Sequence, residues 1–243
     1  MTHLSLVPRP ARWPAARWAA RVLRRDLVSG LPVQARADLR RVGGLRYGGW
    51  VVPLAGLGPT SVCYCAGVGE DISFDLELRA ETGCSVFALD PTPRARAHVA
   101  RAAPDLERFT FLPVGLWGRD EVKRFYAPRD SEHVSHSILN LQRTGDYFEA
   151  PCRRLSSLMR ELGHERLDLL KLDVEGAEYE VLSTLIEDDV DVRILCVEFD
   201  EAYHPLDGGF LDRIARAVRE LHDAGYALLA VERRCNYTFV RRR

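Results

Sequence analysis

Lysine is nearly missing from this 243-residue chain: of 34 basic residues only Lys123 and Lys171 are lysines, and the others are arginine. With abundant Ala, Gly and Pro, the bias reads as codon usage of a GC-rich genome, and a bacterial origin is expected. No apolar run approaches the roughly 18–20 residues that a membrane helix needs, so no membrane span is expected. No CxxC pair occurs among the six cysteines, Cys63, Cys65, Cys84, Cys152, Cys196 and Cys235, most of which lie in apolar stretches. That spacing suits buried, reduced thiols and argues against a zinc site or a disulfide framework. An excess of one charge is also lacking, with 34 basic residues against 35 acidic ones. A chain-wide basic field is thereby excluded, and no nucleic-acid partner is expected. What is present, 47% hydrophobic and 28% charged residues, is the composition of a globular protein with a sizeable core.

The first 25 residues stand apart, with Arg9, Arg12, Arg17, Arg21, Arg24 and Arg25 and no acid before Asp26. They lack the apolar stretch of a secretory signal, and a cytoplasmic location is expected. Trp13, Ala16, Ala20, Leu23 and Leu27 share one helical face, and Pro14 suits a first helical turn. An N-terminal extension over 1–58 is therefore expected, helical at first and then Gly-rich with short strands or turns. It would dock on the body, act as a lid, or make a homodimer contact.

From residue 59 onward short apolar runs alternate with helical patterns. SVCYCAG (61–67), SVFALD (85–90), FTFLPVGL (109–116), LDLLKLDV (167–174) and VRILCVEFD (192–200) are continuous rather than alternating, as strands buried on both faces of a parallel sheet are. Thr92 and Pro93 can start a helix through about Ala102. Ala177, Val181, Leu182, Leu185 and Ile186 make one apolar helical face; Phe210, Ile214, Val218 and Leu221 make another. Residues 72–82 alternate like a strand, yet a helix is expected there because parallel strands need a crossover. Tyr226–Glu232 and Tyr237–Val240 are separated only by RRCN, which can join only antiparallel strands. The expected class is thus α/β, a doubly wound, mostly parallel sheet ending in an antiparallel hairpin, with a polar insertion at about 119–150 holding one hairpin.

Spacing also marks a site. The first long strand runs into Gly67-Val68-Gly69-Glu70-Asp71, where glycines let the backbone turn and approach a ligand. Asp90 closes the next strand 21 residues after Gly69, where an acid can accept from ribose hydroxyls. A dinucleotide would set its pyrophosphate at the following helix start, where Glu70 and Asp71 would repel it, and the third glycine of that fingerprint is replaced by Ile72. S-adenosylmethionine carries no phosphate but does carry an ammonium and a sulfonium, and it fits these acids better. A second acidic stretch, Lys171-Leu172-Asp173-Val174-Glu175-Gly176-Ala177-Glu178, runs from a buried strand into a helix, so Asp173 and Glu175 should face the same crevice. Helix-start acids favoured by the dipole would explain Glu175 and Glu178 equally well, Asp173 less so.

LLKLDVEGAEYEVL resembles the signature of the FkbM family of S-adenosylmethionine-dependent methyltransferases. VCYCAGVGEDISFD, VFALDPTP, FLPVGLWG, SHSIL and ILCVEFD follow in the family's order over roughly 46–240. The resemblance implies a Rossmann-like class I methyltransferase fold with a seven-stranded sheet. It implies methyl transfer to a hydroxyl of a sugar or natural-product small molecule. It also implies cofactor contacts at Gly67, Val68, Gly69, Glu70, Asp71, Ser73, Asp90, Pro91, Gly115, Leu116 and Asp173. One departure is Cys65, where many methyltransferases carry an acid two residues before the first glycine; the methionine ammonium then falls to Glu70, Asp71 or Asp173.

A hydroxyl is a poor nucleophile, and a general base helps by about 10²–10⁴-fold. His204, after the fifth strand, and His136, from the insertion, are the first candidates, because imidazole titrates near neutrality. Asp173 and Glu175 could serve as base, orient the acceptor, or hold Mg²⁺, although no metal-ligand spacing is evident and no metal is assigned. N-methylation of a peptide or protein and a non-catalytic cofactor-binding module are the competing readings.

Overall fold

Near-continuous burial along the central strands builds a sheet covered on both faces. The computed structural model describes residues 24–45, 48–129, 136–140, 143–233 and 235–242. The helix expected from Trp13 lies, up to residue 23, outside them. A short antiparallel hairpin, β1 (Leu39–Val42) and β2 (Trp50–Pro53), precedes the main sheet.

The chain then alternates strand and helix: β3 (Val62–Ala66), α1 (Ser73–Thr82), β4 (Ser85–Leu89), α2 (Pro93–Ala102) and β5 (Phe109–Leu112). Next come β6 (Gly115–Leu116), β7 (Glu121–Tyr126), β8 (Tyr147–Arg153) and α3 (Leu155–Leu162). The last part holds β9 (Leu167–Leu172), α4 (Glu178–Glu187), β10 (Val192–Glu198), α5 (Phe210–Asp223), β11 (Tyr226–Glu232) and β12 (Asn236–Arg241). Seven strands lie in the order β11-β12-β10-β9-β3-β4-β5. β5, β4, β3, β9 and β10 are parallel, and β12 runs antiparallel to both β10 and β11. This is the class I methyltransferase sheet, with its antiparallel end. Strand order reverses between β3 and β9, and such a switch point opens a crevice at the strands' carboxyl ends.

Cys63 and Cys65 of β3 face one side with Val86, Leu169, Ile194 and Cys196, packed under α1 and the β1–β2 hairpin through Phe74, Leu78, Val42, Trp50 and Val52. Tyr64 and Ala66 face the other side, with Leu170, Leu172, Leu195 and Val197 under α3, α4 and α5. All six cysteines are buried free thiols. Residues 72–82 do form a helix despite their alternation: Phe74 and Leu78, one turn apart, are buried there. Thr92 caps α2, its hydroxyl accepting from Ala95 N at 3.2 Å with Pro93 at the helix start.

One expectation fails. Residues 109–116 are two strands in two sheets, because the chain leaves the main sheet at Pro113 and Val114. β6 then pairs with β8, whose other neighbour is the antiparallel β7. The insertion therefore carries a hairpin within a separate three-stranded sheet. Among the described residues, no helix is long and apolar enough to cross a membrane.

Candidate functional site

The turn after β3 is stitched to its neighbours by backbone. Gly67 N donates to Leu89 O at 2.9 Å, and Asp173 N donates to Ala66 O at 3.1 Å. Gly67 has φ +84°, and a Cβ there would collide with the carbonyl oxygen of Asp173. Only glycine lets β3 turn this tightly against the end of β9. Asp90 at the end of β4 gathers the turn: its Oδ2 accepts from Val68 N (3.0 Å) and Gly69 N (2.8 Å). Its Oδ1 accepts from Thr92 N (2.8 Å) and the Thr92 hydroxyl (2.6 Å). A carboxylate has about four lone-pair sites, so in this arrangement Asp90 is fully engaged in shaping the loop.

Above these strand ends lies a cleft that encloses about 760 Å³ with its open mouth included. Of the residues expected at the cofactor, Gly67, Val68, Gly69, Asp71, Asp90, Pro91, Gly115, Leu116 and Asp173 line it. Of the candidate catalytic residues, His136, Asp173 and Glu175 line it as well. Three expected residues do not. Glu70 turns outward and pairs with Arg94 at 2.8 Å. The Ser73 hydroxyl accepts from Gly44 N at 3.0 Å, tying α1 to the β1–β2 hairpin. His204 is exposed beyond the short 3₁₀ turn that follows β10. Lys171 lines it too, and Gly48, Thr92, Val114, Phe125 and Ile138 are among the further wall residues that spacing alone did not single out.

The KLDVEGAE turn has an internal scaffold. Glu175 adopts a left-handed backbone, φ +52°, uncommon for a residue with a side chain. Ser137 holds it from the insertion, its hydroxyl donating to Glu175 O at 2.7 Å. Glu178, 1% exposed, folds back so that both carboxylate oxygens accept from Gly176 N, at 3.0 and 3.1 Å. It is thus more than a helix-start acid, which is all its position in the sequence suggested. Leu139 packs over Gly176, and His136 stands edge-on to Phe148 with centroids 5.2 Å apart.

Electrostatics concentrate beside this turn. Burial, and then the charge of Glu178, hold Asp200 well above the ordinary carboxylate range. Burial likewise raises Glu178. Glu198 at the end of β10 is pushed up to about 7, by burial first and by Asp173 second, with Lys171 opposing. Among the described residues no group of three or more His, Cys, Asp or Glu side chains could hold a metal ion.

The cleft thus lies at the carboxyl ends of β3, β4 and β9, with the tight Gly67 turn between two strand-end acids, Asp90 and Asp173. The family model of the methyltransferase FkbM domain matches residues 62–237. The probable methyltransferase-like protein 24 of Rattus norvegicus is 30% identical over 128 residues, 52% of this chain. That of Homo sapiens is 29% identical over the same length. The chain spans only 29% and 28% of those two proteins. A solved structure, methyltransferase FkbM from Methylobacillus flagellatus KT, superposes with a TM-score of 0.49 at 12% identity, covering 94% of this chain and 58% of that one. With the family model matched from the start of β3 into β12, the chain belongs to the FkbM family of methyltransferases, whose cofactor is S-adenosylmethionine.

Proposed function

We propose that this chain transfers a methyl group from S-adenosylmethionine to a hydroxyl of a sugar or natural-product small molecule. The observation that supports the reading is the contact of residues 136–140 with the β9–α4 turn: Ser137 bonds Glu175 O and Leu139 packs on Gly176, which walls the cleft there and narrows any open groove. A peptide or protein acceptor would need such a groove. When bound, the cofactor supplies an electrophilic methyl on a sulfonium.

The protein's own part is alignment and proton handling. The Gly67–Gly69 turn and Asp90 form the nucleoside side, and Asp71 and Asp173 offer acceptors to the methionine ammonium. Glu175, held by Ser137 and followed by the buried Glu178, orients the acceptor hydroxyl. His136 is the general base, because it lines the cleft while His204 lies outside it. Calorimetric titration with S-adenosylhomocysteine and with NAD⁺ tests the cofactor half, and micromolar binding of the former alone is expected. A panel of hydroxylated acceptors, followed by mass spectrometry of the product, tests the other half. Methyl found on a peptide amine would overturn the acceptor class. With an acceptor in hand, His136→Ala should lower turnover about 10²-fold or more while leaving S-adenosylhomocysteine affinity unchanged.

A further inference from the structure

Lys171, one of two lysines in the chain, is 4% exposed at the centre of the sheet. It lies on β9 in register with Cys65 of β3, the position where an acid was missed. Its Nζ donates to Gly67 O at 2.9 Å and pairs with Asp173 Oδ2 at 3.1 Å. Behind it, on α1, Asp75 is 2% exposed and touches the Cys65 thiol, and its Oδ1 has no hydrogen-bond partner among the described residues. A buried ammonium is costly unless paired; here Asp173 pairs with it directly, and the charge of Asp75 acts on it from α1. Burial opposes the charge on Lys171, but Asp173 and Asp75 outweigh it and hold the ammonium above its ordinary range.

We propose that Lys171, backed by Asp75, is a positioning residue that shapes the methionine end of the cofactor cleft. The inference rests on the S-adenosylmethionine reading of the cleft. The sheet order β9-β3-β4 sets Asp90 at one end of the cleft and Asp173 at the other, with Gly67 between. A nucleoside held on the Asp90 side would send its methionine chain past Gly67 toward Asp173. Lys171 grips the two groups that this chain must pass, the Gly67 carbonyl and the Asp173 carboxylate. Lys171 and Asp173 both line the cleft, and the Asp173 side chain is the more exposed of the two, 26% against 6%. The methionine ammonium therefore meets a carboxylate whose position is fixed from behind. The acid lost at Cys65 is thus replaced from the adjoining helix, with lysine as the link.

Calorimetry with two probes separates this role from a general structural one. S-adenosylhomocysteine has the methionine-derived chain, whereas 5′-methylthioadenosine keeps the nucleoside and lacks that chain. Lys171→Met should weaken the first by at least about tenfold and the second by less than about twofold, and Lys171→Arg should recover part of the loss. Asp75→Asn, nearly isosteric and so a safeguard if Lys171→Met does not fold, should weaken the first probe several-fold and spare the second. Equal losses for both probes, or none for either, would overturn the proposal. Wild-type protein that binds neither probe would bring down the cofactor reading itself, and this inference with it.

Discussion

At the scale of single residues, the cleft depends on where a side chain is absent. Gly67 has a left-handed φ and no room for a Cβ against Asp173, so Gly67→Ala meets both a conformational penalty and a backbone collision. The expected loss is at least about 2 kcal/mol of stability by urea denaturation, with S-adenosylhomocysteine binding abolished. An alanine variant that binds normally would show that the β3 turn can move away from β9. Asp90 and Glu70 illustrate what spacing can and cannot tell. Both were expected at the cofactor for their charge. Asp90 does line the cleft, yet its four acceptor sites are occupied by Val68, Gly69 and Thr92. Glu70 is drawn away by an arginine 24 residues further on. A neighbour that distant leaves no mark in local spacing.

At the scale of elements, the insertion is a clamp. Ser137 exchanges both backbone hydrogen bonds with Tyr126 of β7, at 2.9 and 3.0 Å, while its hydroxyl reaches Glu175 on the opposite side of the cleft. One residue thus joins the three-stranded sheet to the strained turn of the main one. Ser137→Ala should cost about 1 kcal/mol of stability. Amide exchange should quicken across residues 174–177 and stay unchanged in β10. Uniform exchange in wild type and variant would mean that the Glu175 backbone holds itself. The elements themselves were largely legible in the sequence. Buried parallel strands show as unbroken apolar runs, and Thr92-Pro93 announces α2. The short RRCN link forces β11 and β12 to be antiparallel. The split of 109–116 was not legible, because an apolar run has the same composition whether its ends join one sheet or two. The clamp was not legible either: SHSIL could be recognised as a motif, but its contact with a carbonyl 38 residues on depends on the fold.

At the scale of the whole molecule, the topology gathers acids from several elements at one sheet edge. Asp173 follows β9, Glu178 opens α4, Glu198 ends β10 and Asp200 lies just beyond it, with Lys171 the nearby buried cation. The near-zero net charge of the chain hides this concentration, which arises only when β9 and β10 pair. It has a thermodynamic consequence. Glu198 titrates at about 7 in the folded state against an ordinary 4.5. Between those values the folded protein holds a proton that the unfolded chain has released. The stabilising effect of that proton is complete below about pH 4.5 and is lost as pH rises through 7. Glutamine at this position cannot titrate, so Glu198→Gln should gain on wild type by about 1–3 kcal/mol between pH 5 and pH 8. Urea denaturation of both proteins at the two pH values measures the gap directly. A gap that does not change with pH would mean that Glu198 is already ionised at pH 5, with the proton held elsewhere in the cluster, on Asp200 or Glu178.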